Sequence, residues 1–233
     1  MLNDIINVLG SLPYIHVKDT ILTVSIVIIL LLLRSRVLKR NHRNLDLILG
    51  FFPLFIELIF QIQSLIHQEW QLSRTLPMEI SYITSIMLPI SLYRPSRKLQ
   101  SWIFYIGIWS ATAAFLNTIL SDSESWYLRL RYYGHHGILL YFGISIYIGG
   151  YRSKLKDYFN TVTMMIATIL IMGIFNTFIG SNYMFTNYKP PGMNFSTLMP
   201  GWPYYYIIIV GVGLVFCAIL YFLSKENLHK PVK

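Results

Sequence analysis

Two adjacent histidines, in Tyr132-Tyr133-Gly134-His135-His136-Gly137, are the residues in this chain best suited to acid–base chemistry. An imidazole titrates near neutral pH, and a carboxylate beside it fixes its tautomer. Two carboxylates fall inside apolar stretches, Glu57 and Glu79, and ionisable groups there are costly enough to suggest function. Glu57 and Gln61 stand at i, i+4 and share a helical face. Neighbours on a helix point about 100° apart, so one imidazole of the pair faces inward. His136 is favoured, because Tyr132 and Gly143 then join it on one stripe. The chemistry this implies is general acid–base catalysis with His136 as base and Glu79 or Glu57 as its orienting carboxylate. Ser81 or Thr84 would be the attacking hydroxyl. Asn117, Asn176, Asn182, Tyr183, Gln61 and His135 are the candidates for holding substrate, the asparagines also as oxyanion donors. Metal binding by His135, His136, Glu57 and Glu79 is disfavoured, since adjacent histidines on one helix diverge. No dinucleotide, Walker, GxSxG, HExxH or CxxC motif is present, and no cofactor is expected.

The elements that carry these residues are long and apolar. Of 233 residues, 55% are hydrophobic and 12% charged, against about 25% charged in soluble domains. The mean hydropathy is +0.52. Seven runs, near 20–38, 45–66, 76–93, 101–120, 132–150, 158–179 and 203–223, are each of the roughly 20 residues that cross a bilayer as helix. The reading is therefore all-α: one polytopic domain over 20–223, preceded by a segment 1–19 with a short amphipathic interfacial helix and followed by a basic tail 224–233. Gly107, Gly143, Gly173, Gly211 and Gly213 are expected to let helices approach, and Pro53 and Pro89 to kink theirs. The single cysteine, Cys217, excludes an internal disulfide. A retinal-type pigment needs a lysine in the last run, and 203–223 has none.

Charge sets the expected orientation. Fourteen Lys and Arg lie on one side: Arg34, Arg36, Lys39, Arg40 and Arg43, then Arg94, Arg97 and Lys98, then Arg152, Lys154 and Lys156, then Lys225, Lys230 and Lys233. Five lie on the other: Lys18, Arg74, Arg129, Arg131 and Lys189. The positive-inside rule places the N-terminus outside and the C-terminus in the cytoplasm. Topology thus accounts for the net charge of +9 without nucleic acid. Asp46, at the inner end of the second run, is expected to cap it or to pair with Arg43. Trp70, Trp126, Tyr127, Tyr132, Tyr133, Tyr183, Trp202, Tyr204, Tyr205 and Tyr206 gather at outer ends, as interfacial aromatics do. Uncharged polar residues concentrate in the outer halves too, among them Ser81, Thr84, Ser85, Asn117 and Asn176.

The stretch Ile179-Gly180-Ser181-Asn182-Tyr183-Met184-Phe185, then Lys189-Pro190 and Pro200-Gly201-Trp202-Pro203-Tyr204-Tyr205, resembles the signature of the YwaF-like bacterial integral membrane proteins. The resemblance extends from His16 onward. Eukaryotic relatives, the transmembrane protein 164 family, look like acyltransferases acting on phospholipids and ether lipids, using a Cys and a His from the third and fifth runs. Bacterial members carry Leu-Pro-Leu-His-Leu-Cys at the third run, where this chain reads Leu76-Pro77-Met78-Glu79-Ile80-Ser81. Glu79 thus stands at the His position and Ser81 at the Cys position, while the later histidine is retained as His136. A serine there needs stronger activation than a thiol, because its hydroxyl is less acidic.

The resemblance and the residues together point to a bacterial cell-membrane enzyme, a lipid acyltransferase or hydrolase opening to the outer leaflet, with membrane lipids as partners. Self-association or a membrane partner is left open. The rival reading is a non-catalytic protein that binds or moves a solute or lipid with Glu57 as its proton or cation site, or a structural subunit of a membrane complex.

Overall fold

The computed structural model describes residues 2–38, 41–118, 120–192 and 194–226. Lys39, Arg40, Lys230 and Lys233, counted above, lie outside the described residues. The described chain is helical and without strands, apart from one isolated bridge between Ser153 and Lys225. We label its helices α1 (Leu2–Gly10), α2 (Tyr14–Leu38), α3 (Arg43–Ile66), α4 (Ile80–Tyr93), α5 (Arg97–Leu116), α6 (Trp126–Ile148), α7 (Leu155–Ile179) and α8 (Tyr204–Ser224).

Five of these, α2, α3, α5, α7 and α8, are long and apolar enough to cross a membrane. Their outward faces carry exposed apolar side chains such as Ile21, Ile29, Ile171, Phe178 and Phe222. Together they make an apolar surface far beyond the few hundred Å² a soluble monomer leaves open. The other two predicted runs differ from the five in instructive ways. The third run yields α4, which has only 14 residues, about 21 Å of helix. It starts at Ile80, not 76, because Glu79 is extended (φ −69°, ψ 146°). The fifth run yields α6, which starts at Trp126, six residues before the predicted 132.

Local signals explain several boundaries. Ser96 Oγ accepts the Leu99 N–H at 3.2 Å to start α5. The Asp157 carboxylate accepts the Lys154 N–H at 2.9 Å to start α7. Gly180, at φ +65°, ends α7 in the left-handed conformation that glycine adopts without a Cβ clash. Both Pro53 and Pro89 lie inside helices that continue past them. The wide π turns fall elsewhere, at Leu33–Leu38 and Ile103–Gly107.

The least apolar of the long helices, α6, is the most enclosed. It packs against α2, α3, α4 and α5, and it buries residues on all its faces. Its Leu139, Tyr141 and Phe142 join Val27, Ile56, Leu88, Trp102 and Ile106 in the main core. Close approach is possible where α6 lacks side chains. A Cβ on Gly137 would lie 2.6 Å from Thr23 Cγ2 of α2, and one on Gly143 would lie 2.6 Å from Ile108 of α5. Gly107 and Gly213 are also close-packed, but among the described residues a Cβ on Gly173 or Gly211 would meet nothing within 4 Å, so no close helix approach is seen at those two.

Two further expectations are corrected. Asp46 does not pair with Arg43. It accepts from Arg34 Nε at 3.2 Å, from Tyr141 OH at 2.6 Å and meets His42 Nδ1 at 2.8 Å, because its helical face turns toward α2 and α6. The aromatic group divides: Trp70, Trp126, Trp202 and Tyr204 are exposed, whereas Tyr127, Tyr132, Tyr133, Tyr183 and Tyr205 are buried. The buried ones use their hydroxyls inside the fold, as when Tyr132 OH donates to Ala114 O at 2.9 Å.

Candidate functional site

The polar centre of the molecule lies where α3, α4 and α6 meet. Glu57 of α3 is buried, and both its oxygens are occupied. Arg131 of α6 donates from Nε to Oε2 at 2.9 Å and from a terminal nitrogen to Oε1 at 3.0 Å, and Gln61 Nε2 donates to Oε1 at 2.7 Å. A carboxylate in an apolar bundle requires such a partner, because an isolated buried charge is far costlier than a paired one. The Arg131 guanidinium is sandwiched between the rings of Phe60 (3.9 Å) and Tyr82 (4.2 Å), a cation–π arrangement that suits its weak hydration. Arg131 and Gln61 both also donate to Thr75 O, at 3.2 and 2.9 Å, and Trp70 Nε1 donates to Gln61 Oε1 at 2.8 Å. The connection between α3 and α4 is thereby tied down over the ion pair.

His135 follows Arg131 by four residues and so shares its face. Its Nδ1 lies 2.5 Å from Ser85 Oγ of α4, and its Nε2 lies 3.8 Å from Glu57 Oε2 without a hydrogen-bond partner. Ser85 Oγ also lies 3.0 Å from Tyr82 O. Ser85 and His135 are completely buried. A hydroxyl, an imidazole and a carboxylate are thus in sequence across three helices.

His136 points to a different neighbourhood. Its Nδ1 donates to Tyr132 O at 2.6 Å, since a carbonyl only accepts, and its ring packs by Tyr132 (4.8 Å), Phe115 (6.3 Å) and Tyr82 (6.4 Å). The stripe of Tyr132, His136 and Gly143 exists, but it faces α5, not Ser81 and Glu79. Among the described residues, no hydrogen bond joins His136 to a carboxylate or a hydroxyl. Ser81 is buried and makes no hydrogen bond to either histidine. Thr84 is used internally, donating to Ile80 O at 2.6 Å and accepting from Trp102 Nε1 at 2.9 Å.

Glu79 and most of the substrate-binding candidates hold the long connection between α7 and α8. Glu79 Oε2 accepts the Met184 N–H at 2.8 Å. Asn117 Oδ1 accepts the Phe195 N–H at 2.8 Å. Asn176 donates to Tyr183 O and to Thr186 Oγ1, each at 2.7 Å, and accepts the Tyr183 N–H at 3.0 Å. Asn182 Oδ1 accepts the N–H of Asn187 at 2.9 Å. Tyr183 OH donates to Leu72 O at 2.7 Å and accepts the Leu76 N–H at 2.9 Å, clasping one connection to the other. Burial pushes the Tyr183 phenol above its usual range, which keeps it a donor. Met184 and Phe185 lie at φ 57° and 53°, a conformation that non-glycine residues adopt at a cost. Tyr205 OH, bonded to Phe185 O, helps hold it.

The structure therefore brings Glu57, Gln61 and His135 together and leaves Ser81, Glu79 and His136 apart. Sequence reasoning missed Arg131, counting it as a loop cation, and gave Ser85 no role. The signals were present: Arg131 is i, i+4 to His135, and a mid-helix Glu57 calls for a buried cation. Glu57 offers no open cation site, since both oxygens are taken. Among the described residues no group of three or more His, Cys, Asp or Glu is placed to hold a metal.

No curated protein and no solved structure matches the chain. A family model does, that of the TMEM164 family, over residues 12–221. With nearly the whole chain matched, and with several apolar helices around a buried polar centre, this is a membrane protein that belongs to the TMEM164 family.

Proposed function

We propose that the chain is a lipid-active enzyme, an acyltransferase or hydrolase, working at the junction of α3, α4 and α6. The observation that carries this reading is the sequence Ser85, His135, Glu57, with the hydroxyl 2.5 Å from one ring nitrogen and the carboxylate 3.8 Å from the other. Nucleophilic acyl chemistry uses these three group types in this order. His136 is a second imidazole beside the first, with Nδ1–H committed to Tyr132 O and Nε2 left as an acceptor. Membrane lipids are the substrates in this reading, and the cell membrane of a bacterium is the setting. The finer topology belongs to the same proposal. α4 and α6 complete seven crossings, with the N-terminus outside, and the basic loops support that orientation.

Lipidomics on cells expressing wild type, His135→Ala or His136→Ala, beside the empty strain, tests the reading. Wild type is expected to shift ester-lipid composition, and loss of the base to abolish the shift. If wild type and the empty strain have the same lipid profile, the enzyme reading fails.

A further inference from the structure

We propose that the recess at the Arg94 end of α4 binds an anionic phospholipid, with an acyl chain against Pro89 and Ile90 and the phosphate on Arg94. This site lies at the opposite end of α4 from Glu79. It goes beyond the enzyme reading and does not depend on it.

The recess begins with a short helix. α4 has 14 residues, about 21 Å of helix, against roughly 30 Å of hydrocarbon in a bilayer. Its neighbour α3 has 24 residues, about 36 Å. At the Glu79 end, protein covers α4. Met184 of the long connection packs with Ile80 and Ile83, and Glu79 Oε2 accepts the Met184 N–H at 2.8 Å. The other end is open. Arg94 precedes Pro95, and the residue before a proline is pushed out of the helical region. The helix accordingly stops there, with Arg94 at φ −129° and ψ 70°. Around this stop lies a recess of about 370 Å³, lined by Pro89, Ile90, Tyr93 and Arg94. Ile90 and Tyr93 remain 54% and 63% exposed. A span shorter than the hydrocarbon layer draws the surrounding lipid in to meet it, so the occupant of this recess is a lipid.

The lining selects which lipid. Pro89, Ile90 and the Tyr93 ring, which meets Phe51 edge-on at 5.9 Å, make an apolar floor suited to an acyl chain. The Arg94 guanidinium matches two phosphate oxygens at once, and Tyr93 adds a hydroxyl to the same lining. Charge at this end of the bundle favours an anionic headgroup over a zwitterionic one. The described carboxylates there each have a cation already: Asp46 has Arg34 at 3.2 Å, Asp157 has Arg97 at 2.7 Å and Glu226 has Lys154 at 3.5 Å. None is left to hold an ammonium or choline group. Arg94 and Lys98 are exposed, and their side chains have no ion-pair or hydrogen-bond partner among the described residues. The orientation proposed above puts this lipid in the cytoplasmic leaflet, the one richer in anionic headgroups.

The test is native mass spectrometry of the full-length protein in detergent, titrated with dioleoylphosphatidylglycerol or with dioleoylphosphatidylcholine. Wild type is expected to retain one phosphatidylglycerol at concentrations where it retains no phosphatidylcholine. Arg94→Gln is expected to weaken that retention at least ~fivefold, the size of one basic contact to an anionic headgroup. Ile90→Trp fills the recess without changing charge and is expected to weaken it as well. Arg36→Gln removes an exposed cation of α2 that does not line the recess, and it is expected to bind as wild type. Thermal melts in the same detergent check that each variant is folded. Equal retention of the two lipids overturns the proposal, as does wild-type retention by either Arg94→Gln or Ile90→Trp. So does a loss in Arg36→Gln as large as that in Arg94→Gln, which would mark a diffuse attraction to the basic loops. Displacement of the lipid by excess inorganic phosphate would show that the apolar floor contributes nothing and would overturn it too.

Discussion

Replacing Arg131 by methionine should be among the most damaging single changes in this chain, and the damage should vanish when Glu57 is replaced as well. Arg131 is buried, and it makes both a bidentate contact to Glu57 and a hydrogen bond to Thr75 O. Methionine keeps the apolar stem between Phe60 and Tyr82 but leaves Glu57 in the bundle with Gln61 as its donor. Breaking one side of a buried ion pair costs about 3–5 kcal/mol, because the other charge is left uncompensated. At about 2–4 °C per kcal/mol for a chain of this size, the single variant should lose roughly 6–20 °C in thermal midpoint. Replacing both charges removes the desolvation cost along with the attraction, so Arg131→Met/Glu57→Met should fall within about 1 kcal/mol of wild type or above it. The assay is a thermal-shift double-mutant cycle in one detergent, with Glu57→Met completing the square. If Arg131→Met shifts the midpoint by less than about 2 °C, or if the double variant loses the sum of the two singles, the pair is not the buried, mutually dependent contact described above.

Two further outcomes follow from packing and hydrogen bonding. Gly137→Ala places a Cβ 2.6 Å from Thr23 Cγ2 and should cost about 1–3 kcal/mol as α2 is pushed from α6. Thr23→Ala removes the obstructing methyl and should restore most of the loss in the same thermal-shift assay. Asn176→Ala strips partners from Tyr183 N–H, Tyr183 O and Thr186 Oγ1, at about 1–3 kcal/mol for each group left buried and unpaired. Hydrogen exchange at residues 181–187 should rise sharply in that variant while the core of α6 stays protected. Uniform exchange across both would show that Asn176 supports the whole bundle and not the connection alone.

Much of this protein was legible in the chain itself. Long apolar runs dictate helices, since a backbone away from water must bond to itself. Polar residues confined to one half of several runs located the centre near Glu57 and the histidine pair. The terminal signature pointed to the family that the whole chain matches. What the chain could not show is which polar group meets which. Adjacent histidines diverge by about 100°, and the choice between them depends on how α6 is rotated against α3, α4 and α5. That rotation is set by contacts from distant residues: Gly137 against Thr23, Gly143 against Ile108, and Arg131 against Glu57. Together they turn His135 to Ser85 and His136 to Phe115. The asparagines show the same divide. Sequence placed Asn117, Asn176 and Asn182 at one end of the bundle, and the folded chain committed them to the long connection: Asn176 and Asn182 bond to backbone only a few residues further along, whereas Asn117 bonds to the Phe195 N–H that the tertiary fold alone brings back to it. Residue type and period are local properties, so the sequence alone determined the helices and their polar end. Partnership in a bundle is a property of helix rotation and register, which only the packed structure decided.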